Sequence, residues 1–122
     1  MTAAEFRRLA RRLPEATENA HMGHPDFRVR GKIFATLGYP DDEHATVMLP
    51  PDEQHRIVEL APAVFAPAKG AWGRQGATTV RLSSAAESAV ESALALAWCR
   101  KAPKRLVAET TSISIATKFA RR

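Results

Sequence analysis

The spacing of apolar residues switches from helical to alternating soon after Pro14, which restricts the chain to folds that set helices against a sheet. Upstream, Thr2-Ala-Ala-Glu5 is a capping box, whose hydroxyl and carboxylate can each satisfy a free amide at a helix start. Phe6, Leu9, Ala10 and Leu13 follow at helical spacing on one face, and Pro14 ends the helix. Arg7, Arg8, Arg11 and Arg12 occupy the other face, the expected solvated side of such a helix. From Ala16 the period is two. Phe27 and Val29 alternate with Arg28 and Arg30, and Gly31 permits a tight reversal into Lys32-Ile33-Phe34-Ala35-Thr36-Leu37. Pro40-Asp41-Asp42-Glu43 reads as a polar turn before a further short strand, Thr46-Val47-Met48-Leu49.

Pro50-Pro51-Asp52-Glu53 opens a second helix, with proline tolerated in the first turn and acids favoured by the helix dipole. Ile57, Leu60 and Ala61 form its expected apolar side, and Pro62 stops it. A short strand at Ala63-Val64-Phe65-Ala66, a glycine-rich segment at 67–76 and a strand at Thr78-Thr79-Val80-Arg81-Leu82 predict a second hairpin. Ser84-Ala-Ala-Glu87 matches a second capping box, ahead of a helix with Val90, Leu94, Ala97 and Trp98 on one face. A short basic helix over 103–107 follows, and 110–122 reads as a polar, basic, loosely ordered tail. The order predicts one α+β domain over 1–109, with helices packed on one face of an antiparallel sheet.

Composition removes several function classes. At 122 residues the chain has the size of one domain, expected to be monomeric. No apolar run approaches the ~20 residues that span a bilayer, and MTAAEFRRLARRL lacks the apolar block of a signal peptide. A cytoplasmic location without membrane partners is therefore expected. Cys99 is the single cysteine, so an internal disulfide or CxxC site is impossible, and its Ala-rich setting predicts a buried small residue. Eighteen Lys and Arg against 13 Asp and Glu give a net charge of +5, which favours polyanionic partners.

No catalytic constellation emerges. Capping accounts for Ser83 and Ser84, with no GxSxG elbow, and the 70–76 glycines lack Walker spacing. Asp41, Asp42 and Glu43 are ordinary turn acids. His21, His24 and Asp26 are the one candidate metal cluster; i, i+3 spacing in an extended segment puts the imidazoles on opposite faces, and only a turn at Gly23 would bring them together. Further ligands are not evident, so neither metal nor cofactor is expected. His44 and His55 are isolated in polar surroundings and expected to be exposed.

Several segments together resemble the MmcQ/YjbR family of small bacterial proteins. They are Gly23-His24-Pro25-Asp26-Phe27-Arg28-Val29, Gly31-Lys32-Ile33-Phe34-Ala35, and Phe65-Ala66-Pro67-Ala68 with Lys69-Gly70-Ala71-Trp72-Gly73. Ala97-Trp98 and Ala102-Pro103-Lys104-Arg105-Leu106 complete the set, in order across most of 1–109. The resemblance implies a CyaY-like fold, related in shape to frataxin, and a proposed double-wing arrangement for binding DNA. The iron association of frataxin-like proteins does not carry over, because the first helix here bears Arg7, Arg8, Arg11 and Arg12 where acids would be needed.

Two basic wings carry the functional expectation. The first is Arg28-Val29-Arg30-Gly31-Lys32, with Arg28 and Arg30 on one strand face opposite Phe27 and Val29. The second holds Lys69, Trp72 and Arg74 and leads to Arg81, with glycines at 70, 73 and 76 letting backbone approach a phosphate. Trp72 is expected to cap the core, with stacking on an exposed base as the functional alternative. Such wings would grip phosphates, most naturally of DNA, with little sequence preference and strong salt dependence. The alternative is a protein-interaction or small-ligand module for an acidic or planar partner, with Trp72 at the contact.

Overall fold

The computed structural model describes residues 1–110, apart from the side chain of His21. Helix α1 (Ala3–Arg11) leads into strands β1 (Ala16–His21), β2 (His24–Val29), β3 (Lys32–Leu37) and β4 (His44–Met48). Helix α2 (Pro51–Leu60), strand β5 (Phe65–Pro67), helix α3 (Gly70–Arg74), strand β6 (Ala77–Arg81) and helix α4 (Glu87–Lys101) follow. The strands form one six-stranded antiparallel sheet in the order β1-β2-β3-β4-β6-β5. The α+β class with an antiparallel sheet is the one the sequence predicts.

Two tight hairpins build the β1-β2-β3 half. Met22 and Gly23 have φ of 52° and 82°, and Arg30 and Gly31 have 50° and 81°. Two successive positive φ values give the two-residue loop whose twist matches the flanking strands. Arg30 is therefore a turn residue. It does not share the β2 face with Arg28, because its backbone has already left the strand conformation.

A bulge in β3 sorts the next residues. Phe27 pairs with Ala35, but Arg28 pairs with Ile33, which leaves Phe34 as the extra residue. Phe34 and Ala35 are both buried in the main core, while Ile33 and Thr36 flank them half-buried.

The long helices α1 and α4 cover one sheet face. Phe6, Leu9, Val90, Leu94 and Trp98 join Phe27, Val29, Phe34, Val47 and Val80 in the main core. The Phe6 and Phe27 rings meet edge to face at 6.1 Å, and Trp98 Nε1 donates to the Pro14 carbonyl at 2.9 Å. The Thr2–Glu5 capping box forms as read. On the arginine face of α1, Arg7 is ion-paired with Glu18 and Arg8 with Glu87, each at 3.0 Å, while Arg11 and Arg12 are exposed.

Several local expectations are overturned. Leu60 is 71% exposed, and Gln54 takes the inward position with Ile57. Gln54 can be buried because its Nε2 donates to the carbonyls of Gly73 and Ala77, at 2.9 and 3.0 Å. Ser84 does not cap α4. Leu82–Ser84 form a 3₁₀ turn that buries Leu82, so the helix starts later, after Ala86, without a side-chain cap. Cys99 is on the exposed side of α4, where partial burial still pushes its thiol pKa up. The 67–76 segment is no open loop, since it contains α3. A helix over 104–110 matches the short basic helix expected at 103–107. Of the loose tail expected over 110–122, Thr110 belongs to that helix, and 111–122 lie outside the described residues.

The opposite sheet face is only partly covered. Met48 follows the core residue Val47 on β4 and points the other way, where it joins Ala68, Ala77, Tyr39 and Trp72 in a second, small cluster. The short α3 thus stands across the sheet from α1 and α4, and a cavity opens beside it. Among the described residues, no helix is long and apolar enough to cross a membrane.

Candidate functional site

The cavity, about 570 Å³, lies on this second face. Such a volume falls in the range of small-ligand pockets. Trp72 and Tyr39 form one wall, packed edge to face with ring centroids 5.2 Å apart and planes at 74°. The contact holds the indole in place, so Trp72 is half-buried and belongs to this small cluster, not to the main core under the long helices. Ile33 and Met48 add apolar surface from the sheet. Met22, at the tip of the β1–β2 turn, stands at the rim 86% exposed.

The floor is polar. Asp26, only 1% exposed, receives two hydrogen bonds from the Arg28 guanidinium, at 2.9 and 3.1 Å. Beside Asp26 across β2 and β3 is Thr36, whose Oγ1 is buried without a hydrogen-bond partner among the described residues. His24 lines the same space. Its ring lies against Gly38, where a Cβ would come within 2.8 Å of Nδ1. Among the described residues, no group of three or more His, Cys, Asp or Glu is placed to hold a metal.

Two lysines give the cavity its charge. Lys32 opens β3 just after the Arg30-Gly31 turn, and Lys101 ends α4. Neither is ion-paired to a carboxylate among the described residues. Burial, with the charges of Arg100 and Lys32 nearby, pushes the Lys101 ammonium below its ordinary pKa. Since Arg28 already neutralises Asp26, the local field is positive.

The residues expected to bind nucleic acid are thus divided. Lys32 and Trp72 share the cavity, and the exposed Lys69 and Arg74 stand at the two ends of the helix that carries Trp72. Arg28 is bound to Asp26, and its pKa is raised by that hydrogen bond. Arg30 is held by a bidentate bond to Glu15, which raises its pKa in turn. Arg81 pairs with His44 at the end of β6 away from Ala77 and does not line the cavity.

The glycines also differ from expectation. A Cβ at Gly73 would lie 1.7 Å from the Ala68 carbonyl oxygen, and one at Gly76 would lie 1.8 Å from that of Leu49. Both serve close approach of the protein's own backbone. Gly70 alone of the three faces open space. Sequence reading did not single out Tyr39, Met48, Thr36 or Lys101, which the structure places on this cavity. Only the meeting of β3, β4, the turn between them and the end of α4 gives them a role.

The fold has a solved counterpart. The crystal structure of the Deinococcus radiodurans protein DR2400, which carries a DUF419 domain, superposes with a TM-score of 0.67 at 16% identity. The match covers 80% of this chain and 75% of that one, and it speaks to the fold. No curated protein matches the chain. The family model for YjbR matches residues 11–100, from the end of α1 almost to the end of α4, and the chain belongs to the YjbR family.

Proposed function

We propose that the chain is a cytoplasmic, non-enzymatic protein that binds nucleic acid, with DNA as its partner, through the open face of the sheet. Lys32, Lys69, Arg74 and Lys101 contact phosphates, and Trp72 contacts a base. The observation that carries this reading is the convergence of Lys32 and Lys101, both without a carboxylate partner among the described residues, on the cavity walled by Trp72. Unpaired cations beside an aromatic platform suit a phosphate backbone with an accessible base. Arg28 and Arg30 leave the contact set, because their charges are already matched by Asp26 and Glu15.

Fluorescence anisotropy with labelled duplex and single-stranded DNA at two salt concentrations tests it. Binding should be saturable and weaken as salt rises. Replacing Lys32, Lys69, Arg74 and Lys101 together by alanine should abolish it, whereas retained affinity in a folded variant would refute this surface.

The cavity itself favours a second reading, a module for a small planar ligand or an acidic protein. Protection of the 67–76 segment by such a ligand, with no effect of DNA, would select it.

A further inference from the structure

The cavity and the two lysines are parts of one surface, and their chemistry specifies more than attraction to a polyanion. A groove that only tracked phosphates would need exposed cations. Here a braced indole, two apolar sheet residues and a polar floor enclose a space the size of a small ligand. The exposed Met22 at its rim is a flexible, polarizable side chain available to fold over a bound ring.

We infer that the cavity receives a single unstacked nucleobase of a phosphate-bearing nucleotide, with Trp72 as its stacking platform and Lys32 and Lys101 on the phosphate. A base has an apolar face and a polar edge, and the cavity offers both. Trp72 presents the aromatic surface, with Tyr39 beside it on the same wall fixing its angle. His24, seated on Gly38, offers an exchangeable donor or acceptor to the base edge. The unpartnered Thr36 hydroxyl and the Asp26 carboxylate make that end of the floor polar. Lys32 and Lys101 reach the same space from the sheet and from the end of α4.

A paired, stacked base cannot enter such a space, so the site distinguishes unpaired from duplex nucleic acid. This inference deepens the nucleic-acid reading and rests on it for the identity of the polyanion. The same chemistry would also take a free mononucleotide, and the test separates the two sources.

The intact chain and each variant are titrated with adenosine 5′-monophosphate, adenosine and ribose 5-phosphate by isothermal titration calorimetry, with tryptophan fluorescence followed in the intact chain. Labelled single-stranded and duplex oligonucleotides are titrated in parallel. Trp98 is buried and bonded to Pro14, so quenching reports on Trp72. The monophosphate should bind saturably, and more tightly than either fragment. Lys32→Ala with Lys101→Ala should weaken the monophosphate and leave adenosine little changed. Trp72→Leu should weaken both base-containing ligands roughly tenfold, the scale of one base–aromatic stack. Because that variant also disturbs the Met48–Ala77 contact, Ile33→Trp serves as a second test by filling the cavity from the sheet.

Single strands binding more tightly than duplex, with that preference lost in either variant, would support base capture within a strand. Monophosphate binding without oligonucleotide binding would support the pocket, make its ligand a free nucleotide and overturn the nucleic-acid reading. Equal binding of duplex and single strands, with no monophosphate binding, would overturn the inference and leave that reading standing. No binding of any of them would refute both.

Discussion

Arg28 clasps Asp26 from two residues away on the same strand, with both guanidinium bonds between 2.9 and 3.1 Å and the carboxylate almost fully buried. A cation that a sequence offers to a ligand is here committed to an acid of the same chain. A carboxylate in so dry a position requires such a partner.

Removing that partner should therefore damage the fold more than it damages binding. Arg28→Ala should lower the melting temperature by several degrees, because it strands a buried charge. Arg30→Ala should change it little, since Glu15 can rehydrate at the surface. Adding Asp26→Asn to Arg28→Ala should recover part of the loss. Thermal melts followed by circular dichroism check all three, and equal losses for Arg28→Ala and Arg30→Ala would contradict this account.

Gln54 ties α2 to the stretch just after Trp72 through the carbonyls of Gly73 and Ala77. Gln54→Ala removes one of the two hydrogen bonds at each carbonyl, since the Gly76 and Ala68 amides still donate to Gly73 and Ala77, and should cost about 1–3 kcal/mol for the two lost bonds. Loosening α3 should also red-shift Trp72 emission, a change that a purely local loss would not produce. Urea unfolding and emission spectra measure the two effects together.

The glycines of the 67–76 segment should rank by what surrounds them. Gly76→Ala drives a Cβ into the Leu49 carbonyl at a φ of 112° and should cost on the order of 2–4 kcal/mol. Gly70→Ala meets open space at a φ of 70° and should cost about 1 kcal/mol from left-handed backbone alone. Chemical denaturation of the two variants would expose any reversal of this order.

Acid should weaken the protein through two surface pairs. The Arg30 hydrogen bond holds the Glu15 carboxyl below its usual pKa, and the hydrogen bond with His44, followed by that from the Glu43 amide, does the same for Asp41. A carboxylate with a lowered native pKa binds fewer protons folded than unfolded, so its stabilisation is complete above about pH 5 and is lost as pH falls through the native value. Glu15→Gln with Asp41→Asn should flatten the acid limb of a stability–pH curve slightly and leave its plateau nearly unchanged, because exposed pairs contribute little. An unchanged acid limb would remove these pairs from the account.

What the sequence by itself determined is local and periodic. Thr2 and Glu5 announced the first helix, the Phe27–Val29 alternation marked its strand, and Gly31 marked a reversal, because each depends on residues only a few positions apart. Capping, alternation and turn chemistry are properties of neighbours, and so the α+β class was legible. The second capping motif misled because Leu82 gained more by burial in a 3₁₀ turn than Ser84 could gain as a cap.

Only the tertiary structure decided which charges are free and which side chains meet. Glu15 reaches Arg30 because β1 pairs with β2, and Glu18 reaches Arg7 because α1 packs against β1. The bulge at Phe34 turned Ile33 and Thr36 away from the main core, and α3 carried Trp72 onto the face that Lys101 reaches from the far end of the chain. A cavity is a relation among surfaces from separate elements. Periodicity can assign a residue to a face, but the register, bulge and packing that bring such faces together arise only when the whole sheet has closed.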